Sequence, residues 1–453
     1  MSIGDGTQCK IPHICLQYRR FCGIICARDR EALLAARATF LHGVIVKKTS
    51  GVNMMEVNSG GFISGRRVDF VNHVSGAELG YETPRRDTFA IVHPKSGAGV
   101  HPLYVVLHSA GHDVYSAVAC TRYVGNHDIY HAPDEAYGLY LDCREHEDTD
   151  WWWGGADTFG NGEPSRRTTK QQPVERRVIA TIMWMFEHYP IDRTRVYGVG
   201  NSMGGSGMLG LALGRGDIFA AIKLNVPAGV HHAYDRWLLD SPEKKMPIPD
   251  PPIIIDYSAQ DDINSHGHEL LYDAAVRRRY ALIGYFGCFG HENNHAEIEK
   301  VNDLVNSFPF MSVRLNEAYP AFTNASTDDE IPWGADREIK ESGQVNAFFR
   351  YRNVSDSEDR FEMALRLMTQ ADHPTWVVLP DESTADVTLR RLQNFRVQPH
   401  ETVAYTFGNS SGTVCADETG HVTIPKLCVR ADETLLTLER APQPKPKKKT
   451  RKK

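Results

Sequence analysis

From about residue 62 the chain alternates two kinds of segment: short, nearly continuous apolar runs, and longer stretches whose apolar residues recur with a helical period. The first kind fits strands buried on both faces, the second amphipathic helices. Strands are expected at Thr88–Val92, Leu103–Leu107, Tyr137–Leu141, Arg195–Val199, Ala220–Leu224, Pro252–Tyr257 and Ala281–Phe286, and helices at about 173–188, 203–214, 267–279 and 294–306. This order predicts an α/β fold with an open, doubly wound, mostly parallel sheet. Ligands in such sheets bind beyond the carboxyl ends of the strands.

After about residue 310 the helical period gives way to alternation at Phe361–Leu367, Val387–Leu389, Val397, Val403–Tyr405, Val422–Ile424 and Leu435–Leu438. Turn residues such as Asp381-Glu382-Ser383 and Asp417-Glu418-Thr419-Gly420 separate these runs, as in a β-sandwich. The expected organisation is a poorly defined extension over 1–60, an α/β-hydrolase catalytic domain over 61–309, a β-sandwich-like domain over 310–440 and a disordered basic tail over 441–453. Residues 1–53 look foreign to the rest, and Met54 and Met55 precede the first clear strand patterning, so the native chain is expected to start there.

Composition narrows the class. A chain of 453 residues, 41% hydrophobic and 24% charged, is ordinary for a globular protein of two domains. Neither an apolar run of bilayer length nor the h-region of a secretory leader stands out, so no membrane span and a cytoplasmic location are expected. The formal charge of −6 is uneven, because Lys445–Lys453 is strongly basic and the remainder correspondingly more acidic. An acidic body argues against a nucleic-acid partner, and the tail reads as a solvated terminus. Cys9, Cys15, Cys22 and Cys26 lack the paired spacing of a zinc site. Cys415 and Cys428 flank an expected hairpin and are read as reduced.

One stretch carries chemistry. Val196-Tyr197-Gly198-Val199-Gly200-Asn201-Ser202-Met203-Gly204-Gly205 reads as a buried strand entering a glycine-flanked serine and then a helix, the G-x-S-x-G elbow that lifts a hydroxyl above a sheet. A serine hydroxyl is a weak nucleophile and needs a histidine base oriented by a carboxylate. In this fold an acid and then a histidine follow in chain order, each beyond a later strand. Asp261 is chosen over Asp262 after Ile253–Tyr257, and His291 over His295 after Leu282–Phe286. An oxyanion needs backbone N–H donors: Met203 supplies one by position, and the loop His108-Ser109-Ala110-Gly111 supplies the second, through Ser109 or Ala110.

A competing pattern overlaps the histidine. His291-Glu292-Asn293-Asn294-His295 fits the H-E-x-x-H signature of zinc peptidases, which must lie within a helix. Here Gly290 and a strand precede it and two asparagines fill its centre, so His291 is assigned to the serine and no metal or cofactor is expected.

These residues resemble the α/β-hydrolase superfamily, and within it the esterases related to polyhydroxyalkanoate depolymerases and to feruloyl and acetylxylan esterases. The resemblance rests on Tyr189-Pro190-Ile191-Asp192-Arg193-Thr194-Arg195-Val196-Tyr197, on Gly200–Gly205 and on Gly216-Asp217-Ile218-Phe219-Ala220-Ala221, and covers about residues 85 to 306. It implies hydrolysis of carboxylic esters through an acyl-enzyme, with Ser202, Asp261 and His291 as the triad. Ser109-Ala110 stand where relatives carry glycines, and Ser258 where a glycine commonly precedes the acid.

Trp151, Trp152 and Trp153 follow a strand end on the side of the expected site. They read either as a platform for a sugar or aromatic acyl group of a small-molecule or polysaccharide-linked ester, or as packing for an insertion. The stretch Pro227–Pro252 reads as a cap over the cleft or a structural connection. Three other functions remain: a prolyl-oligopeptidase-like serine peptidase, which shares the elbow, a zinc metallopeptidase, and a non-catalytic binding protein.

Overall fold

The computed structural model describes residues 56–120, 126–143, 151–153, 170–237, 246, 248–260, 265, 267–288, 290–291, 303–334, 341–372 and 377–440. Most of the N-terminal extension and the whole basic tail lie outside these residues. The strands are β1 (Glu56–Ile63), β2 (Arg66–Ser75), β3 (Arg85–Val92), β4 (His101–Leu107), β5 (Tyr137–Leu141), β6 (Ile191–Asn201), β7 (Ala221–Asn225), β8 (Ile253–Ala259), β9 (Leu282–Gly287), β10 (Tyr319–Thr323), β11 (Gly343–Val345), β12 (Phe349–Asp356), β13 (Arg360–Leu367), β14 (Glu382–Arg390), β15 (Thr402–Phe407), β16 (Ser410–Cys415), β17 (Val422–Arg430) and β18 (Thr434–Arg440). The helices are α1 (Val114–Cys120), α2 (Pro173–His188), α3 (Met203–Ala212), α4 (His231–Trp237) and α5 (His268–Arg278).

One large sheet runs in the order β1-β2-β3-β5-β4-β6-β7-β8-β9-β11. From β5 through β9 neighbouring strands are parallel, and β1, β2 and β3 extend the sheet antiparallel at one side. With helices on both faces this is the α/β-hydrolase arrangement. The parallel strands are apolar at nearly every position because both faces are covered. Along β4, Leu103, Val105 and Leu107 pack toward α2, α3 and α5, whereas Tyr104 and Val106 pack toward α1 and Leu304, Val305 and Phe308. Helix α2 opens on a capping box, in which the Gln172 N–H donates to Glu175 Oε2 at 2.6 Å, with Pro173 at its first position.

The C-terminal strands form two antiparallel sheets, β10-β14-β17 and β12-β13-β18-β15-β16. Their polar contacts with the large sheet gather where β8 and β9 begin. His421 lies 2.9 Å from Asp250, Arg279 pairs with Asp417 at 3.2 Å, Arg390 donates to the Arg278 carbonyl at 3.4 Å, and the Tyr319 hydroxyl donates to the Pro251 carbonyl. The parallel strands all run away from that edge, toward the serine elbow. Cys415 and Cys428 stand as free thiols.

Several differences from the sequence reading have physical causes. The hairpin of β1 and β2 carries buried charge that hides it from a hydropathy reading. Arg66 is buried because its guanidinium donates to the carbonyls of His93 (2.7 Å), Ala136 (2.5 Å) and Ala132. Strand β6 starts at Ile191, ahead of the apolar run. Strand β16 is mostly polar because it lies at a sheet edge. Glu382 and Ser383, read as turn, open β14, and Val397 lies outside any strand. Strand β11, in the region expected to be accessory, adds to the large sheet against β9.

A buried lysine interrupts β7. Burial pushes the Lys223 ammonium down to about 8 against an ordinary 10.5, only partly offset by Asp128, and Nζ donates to Asn306 Oδ1. Below pH 8 folded and unfolded chains both hold the proton, and the fold carries the full cost of the buried charge. Between about pH 8 and 10.5 the unfolded chain binds more protons, so stability rises with pH. Lys223→Met is therefore expected to stabilise the protein by about 2 to 3 kcal/mol near pH 7, with the gain shrinking toward pH 10. Urea unfolding of both proteins across this range tests it; a pH-independent difference would refute the titration account.

Candidate active site

Strand β6 ends at Asn201, α3 begins at Met203, and Ser202 turns the corner alone. Its φ of 54° and ψ of −120° put a non-glycine residue in a conformation that costs about 1–3 kcal/mol. The surroundings hold it there. The Ser202 N–H donates to the Asn225 carbonyl at 2.8 Å, and the Ala228 N–H donates to the Ser202 carbonyl at 3.1 Å. A Cβ on Gly200 would lie 2.2 Å from the Gly204 carbonyl oxygen, and one on Gly204 would lie 2.0 Å from that of Leu107. Both residues must be glycine for strand and helix to close this tightly.

Beyond β9 and Gly290, His291 reaches back over the elbow. Its Nε2 lies 2.8 Å from Ser202 Oγ, a hydrogen bond across 89 residues of chain. Ser202 is 4% exposed and His291 half-buried, so the pair sits at the floor of the carboxyl edge of the sheet. Glu292, Asn293, Asn294 and His295 lie outside the described residues.

Asp261 and Asp262 also lie outside them, but the frame on which they hang does not. The Gln260 N–H donates to the Gly287 carbonyl at 3.0 Å, joining the ends of β8 and β9. Within β8, fully buried Asp256 accepts from Ser258 Oγ at 2.6 Å and from the Tyr272 hydroxyl at 2.9 Å. Ser258 Oγ also lies 2.8 Å from His268 Nε2, and His268 Nδ1 is 2.8 Å from the Ser265 carbonyl oxygen. Ser265 Oγ donates to the Ala259 carbonyl at 2.9 Å, so both ends of the connection after β8 are tied down. Sequence reasoning saw Ser258 only as a departure from glycine and missed Ser265 and His268. No sequence signal set these residues apart, because the stretch from Ser258 to His268 is polar at most positions.

The loop after β4 corrects one expectation. The Ser109 N–H donates to the Tyr130 hydroxyl at 2.7 Å, so it is already engaged and Ser109 is removed as the second oxyanion donor. Burial raises the Tyr130 pKa and keeps its hydroxyl a neutral phenol. Half-buried Ala110 is the next backbone N–H along the loop. Met203 occupies the first position of α3, where a helix leaves its N–H without an intrahelical acceptor.

The tryptophans correct another. Trp152 and Trp153 are 1% and 6% exposed. The Trp152 indole N–H donates to the His108 carbonyl at 2.9 Å, and its side chain fills the space where Gly207 of α3 lacks one. Trp153 stacks on His232 at 4.1 Å. Both rings belong to the core behind the elbow, which leaves Trp151, half-buried, as the one of the three with surface to offer. The described part of 227–252 likewise packs as a connection: the Trp237 indole N–H donates to the Gly210 carbonyl of α3 at 2.7 Å, and Arg236 of α4 pairs with Glu175 of α2 at 2.7 Å.

The closeness of α3 to β4 gives a direct test. Gly204→Ala must push the helix off the Leu107 carbonyl, and is expected to destabilise the fold by about 3 kcal/mol and to break the Ser202–His291 alignment. Thermal melting and crystallography check this; an unchanged melting midpoint with the 2.8 Å contact intact would refute it.

No protein-family model and no curated protein matches the chain. Among solved structures it is similar to an S-formylglutathione hydrolase from Agrobacterium tumefaciens, with 14% identity over 54% of this chain and 94% of that one and a TM-score of 0.38. It is similar also to FphF, a fluorophosphonate-binding serine hydrolase of Staphylococcus aureus, with 13% identity over 54% of this chain and 100% of that one and a TM-score of 0.36. A ferulic acid esterase shares 13% identity over 54% of this chain and 98% of that one, with a TM-score of 0.39.

Proposed function

We propose that the protein is a serine hydrolase that cleaves carboxylic esters through an acyl-enzyme. The single observation that carries this reading is the 2.8 Å hydrogen bond between Ser202 Oγ and His291 Nε2, formed by a strained serine at the carboxyl edge of a parallel sheet. Strain and hydrogen bond together hold the hydroxyl off the helix with a base already in place, the arrangement acyl transfer requires.

In the proposed sequence, His291 takes the proton of Ser202 as Oγ attacks the ester carbonyl. The tetrahedral oxyanion is held by the backbone N–H groups of Met203 and Ala110, at the N-terminus of α3. Collapse expels the alcohol, which leaves with the proton from His291, and water repeats the steps to release the acid. Asp261 is assigned to orient His291. Trp151 is proposed to contact the acyl or alcohol portion, which favours a substrate with a flat aromatic or sugar face. A serine peptidase would use the same residues, so amides belong in the test.

A fluorophosphonate probe is expected to label the wild type and not Ser202→Ala. The same substitution should lower ester kcat by about 10⁴-fold or more, while feruloyl and acetylated-sugar esters are turned over faster than peptide amides. A folded wild type that takes no label sinks the serine reading. Preferential cleavage of peptide amides would replace the esterase by a peptidase.

A further inference from the structure

Gln260 stands where two ladders of the large sheet stop. The β8–β9 pairing ends at Ala259 opposite Gly287, and at the same end of β9 the pairing with β11 stops at Phe286 opposite Gly343. One residue further on, Gln260 joins all three segments. Its N–H donates to the Gly287 carbonyl at 3.0 Å, its side-chain amide donates to the Glu341 carbonyl, and its Oε1 accepts from Cys288 Sγ at 3.3 Å. The partners fix which end of the amide is which. A main-chain carbonyl only accepts, so the end that meets Glu341 is the nitrogen, and the oxygen is left for the thiol.

The chain that leads to Glu341 is itself held. Between β10 and β11 the Asp329 N–H donates to the Gln344 carbonyl at 3.0 Å, the Gln344 N–H donates to Asp329 Oδ2 at 2.9 Å, and the Asn346 N–H donates to Asp328 Oδ1 at 2.7 Å. Further along the same stretch Trp333 stacks on His268 at 4.8 Å and meets Phe286 of β9 edge-on at 5.5 Å. His268 closes the far end of the connection after β8 through Ser265. One stretch of the C-terminal portion therefore touches both ends of the connection in which Asp261 falls, at Gln260 and at His268. Through Gln260 it also reaches Cys288, three residues ahead of His291.

Acyl transfer is sensitive to such placement, since a shift of about 1 Å costs on the order of 100-fold in rate. Loops that leave a sheet keep that precision only when supporting hydrogen bonds hold them. We propose, on the footing of the serine-hydrolase reading above, that Gln260 is a positioning residue: it couples the stretch between β10 and β11 to the turns after β8 and β9, and so holds His291 over Ser202. The C-terminal sheets then belong to the catalytic unit through this one stretch.

Gln260→Met keeps the length of the side chain and removes both of its hydrogen bonds, while the main-chain bond to Gly287 stays. Ester kcat is measured per active site, counted by fluorophosphonate titration run to completion so that unfolded protein drops out. The expected result is a fall in kcat of about 10- to 100-fold with KM nearly unchanged. The rate of labelling should fall by a similar factor, because the alignment of Ser202 with His291 serves both reactions. Trp333→Ala, at the other contact of the same stretch, should lower kcat in the same way, and the double variant should lose clearly less than the product of the two single losses. Single losses that simply multiply would show the two residues acting independently and would overturn the coupling. Unchanged per-site kcat and labelling rate in Gln260→Met, with only a lower melting midpoint, would overturn the proposal while leaving the serine reading intact. A wild type that neither takes the probe nor cleaves esters overturns that reading and this inference with it.

Discussion

The approach of α3 to β4 at Gly204 is the constraint on which the rest of the site depends. With a carbonyl 2.0 Å from where a Cβ would be, strand and helix are held so close that the residue between them cannot relax into an ordinary conformation. Ser202 takes a positive φ because its neighbours are fixed on both sides, by Asn225 and Ala228 in hydrogen bonds and by the two glycines in packing. The strain at the serine is thus maintained by the core, and its reward is a hydroxyl that faces His291 instead of the helix.

From that point the architecture separates two tasks. The carboxyl edge of the sheet collects Ser202, His291, the loop after β4 and the tied connection after β8. The opposite edge collects the ion pairs and hydrogen bonds that seat the C-terminal sheets, through Asp250, Arg278, Arg279 and their partners His421, Arg390 and Asp417. The large sheet stands between them. Strand β11 is the described strand from the C-terminal portion that joins it, lying against β9 and so at the side of the strand that leads to His291.

The parallel core was legible because burial on both faces leaves a plain mark: Tyr137–Leu141 was delimited to the residue, and Pro173–His188 likewise from its period and its starting proline. The contact between Ser202 and His291, the proposed nucleophile and base, was legible because an elbow demands glycine on both sides and because Gly290 precedes His291 in the turn. What stayed hidden was polar structure inside the core. The polar partnerships of Arg66, Lys223, Asp256 and His268 went unread, since those partners are main-chain carbonyls and side chains that only the folded chain brings to them. The tryptophans stayed open between a binding platform and packing for the complementary reason. A run of three aromatics before two glycines fits either, and Trp152 is shaped to Gly207, a contact that only the folded chain brings together.

The contact between Trp152 and Gly207 has a consequence for how such a protein can change. One methyl group is already too much on either side of α3, at Gly204 against β4 and at Gly207 against the indole. The helix behind the serine is therefore closed to gradual remodelling, on the side of β4 and on the side of Trp152 alike. Any substitution that adds bulk at either glycine has to be matched by a change in β4 or at Trp152.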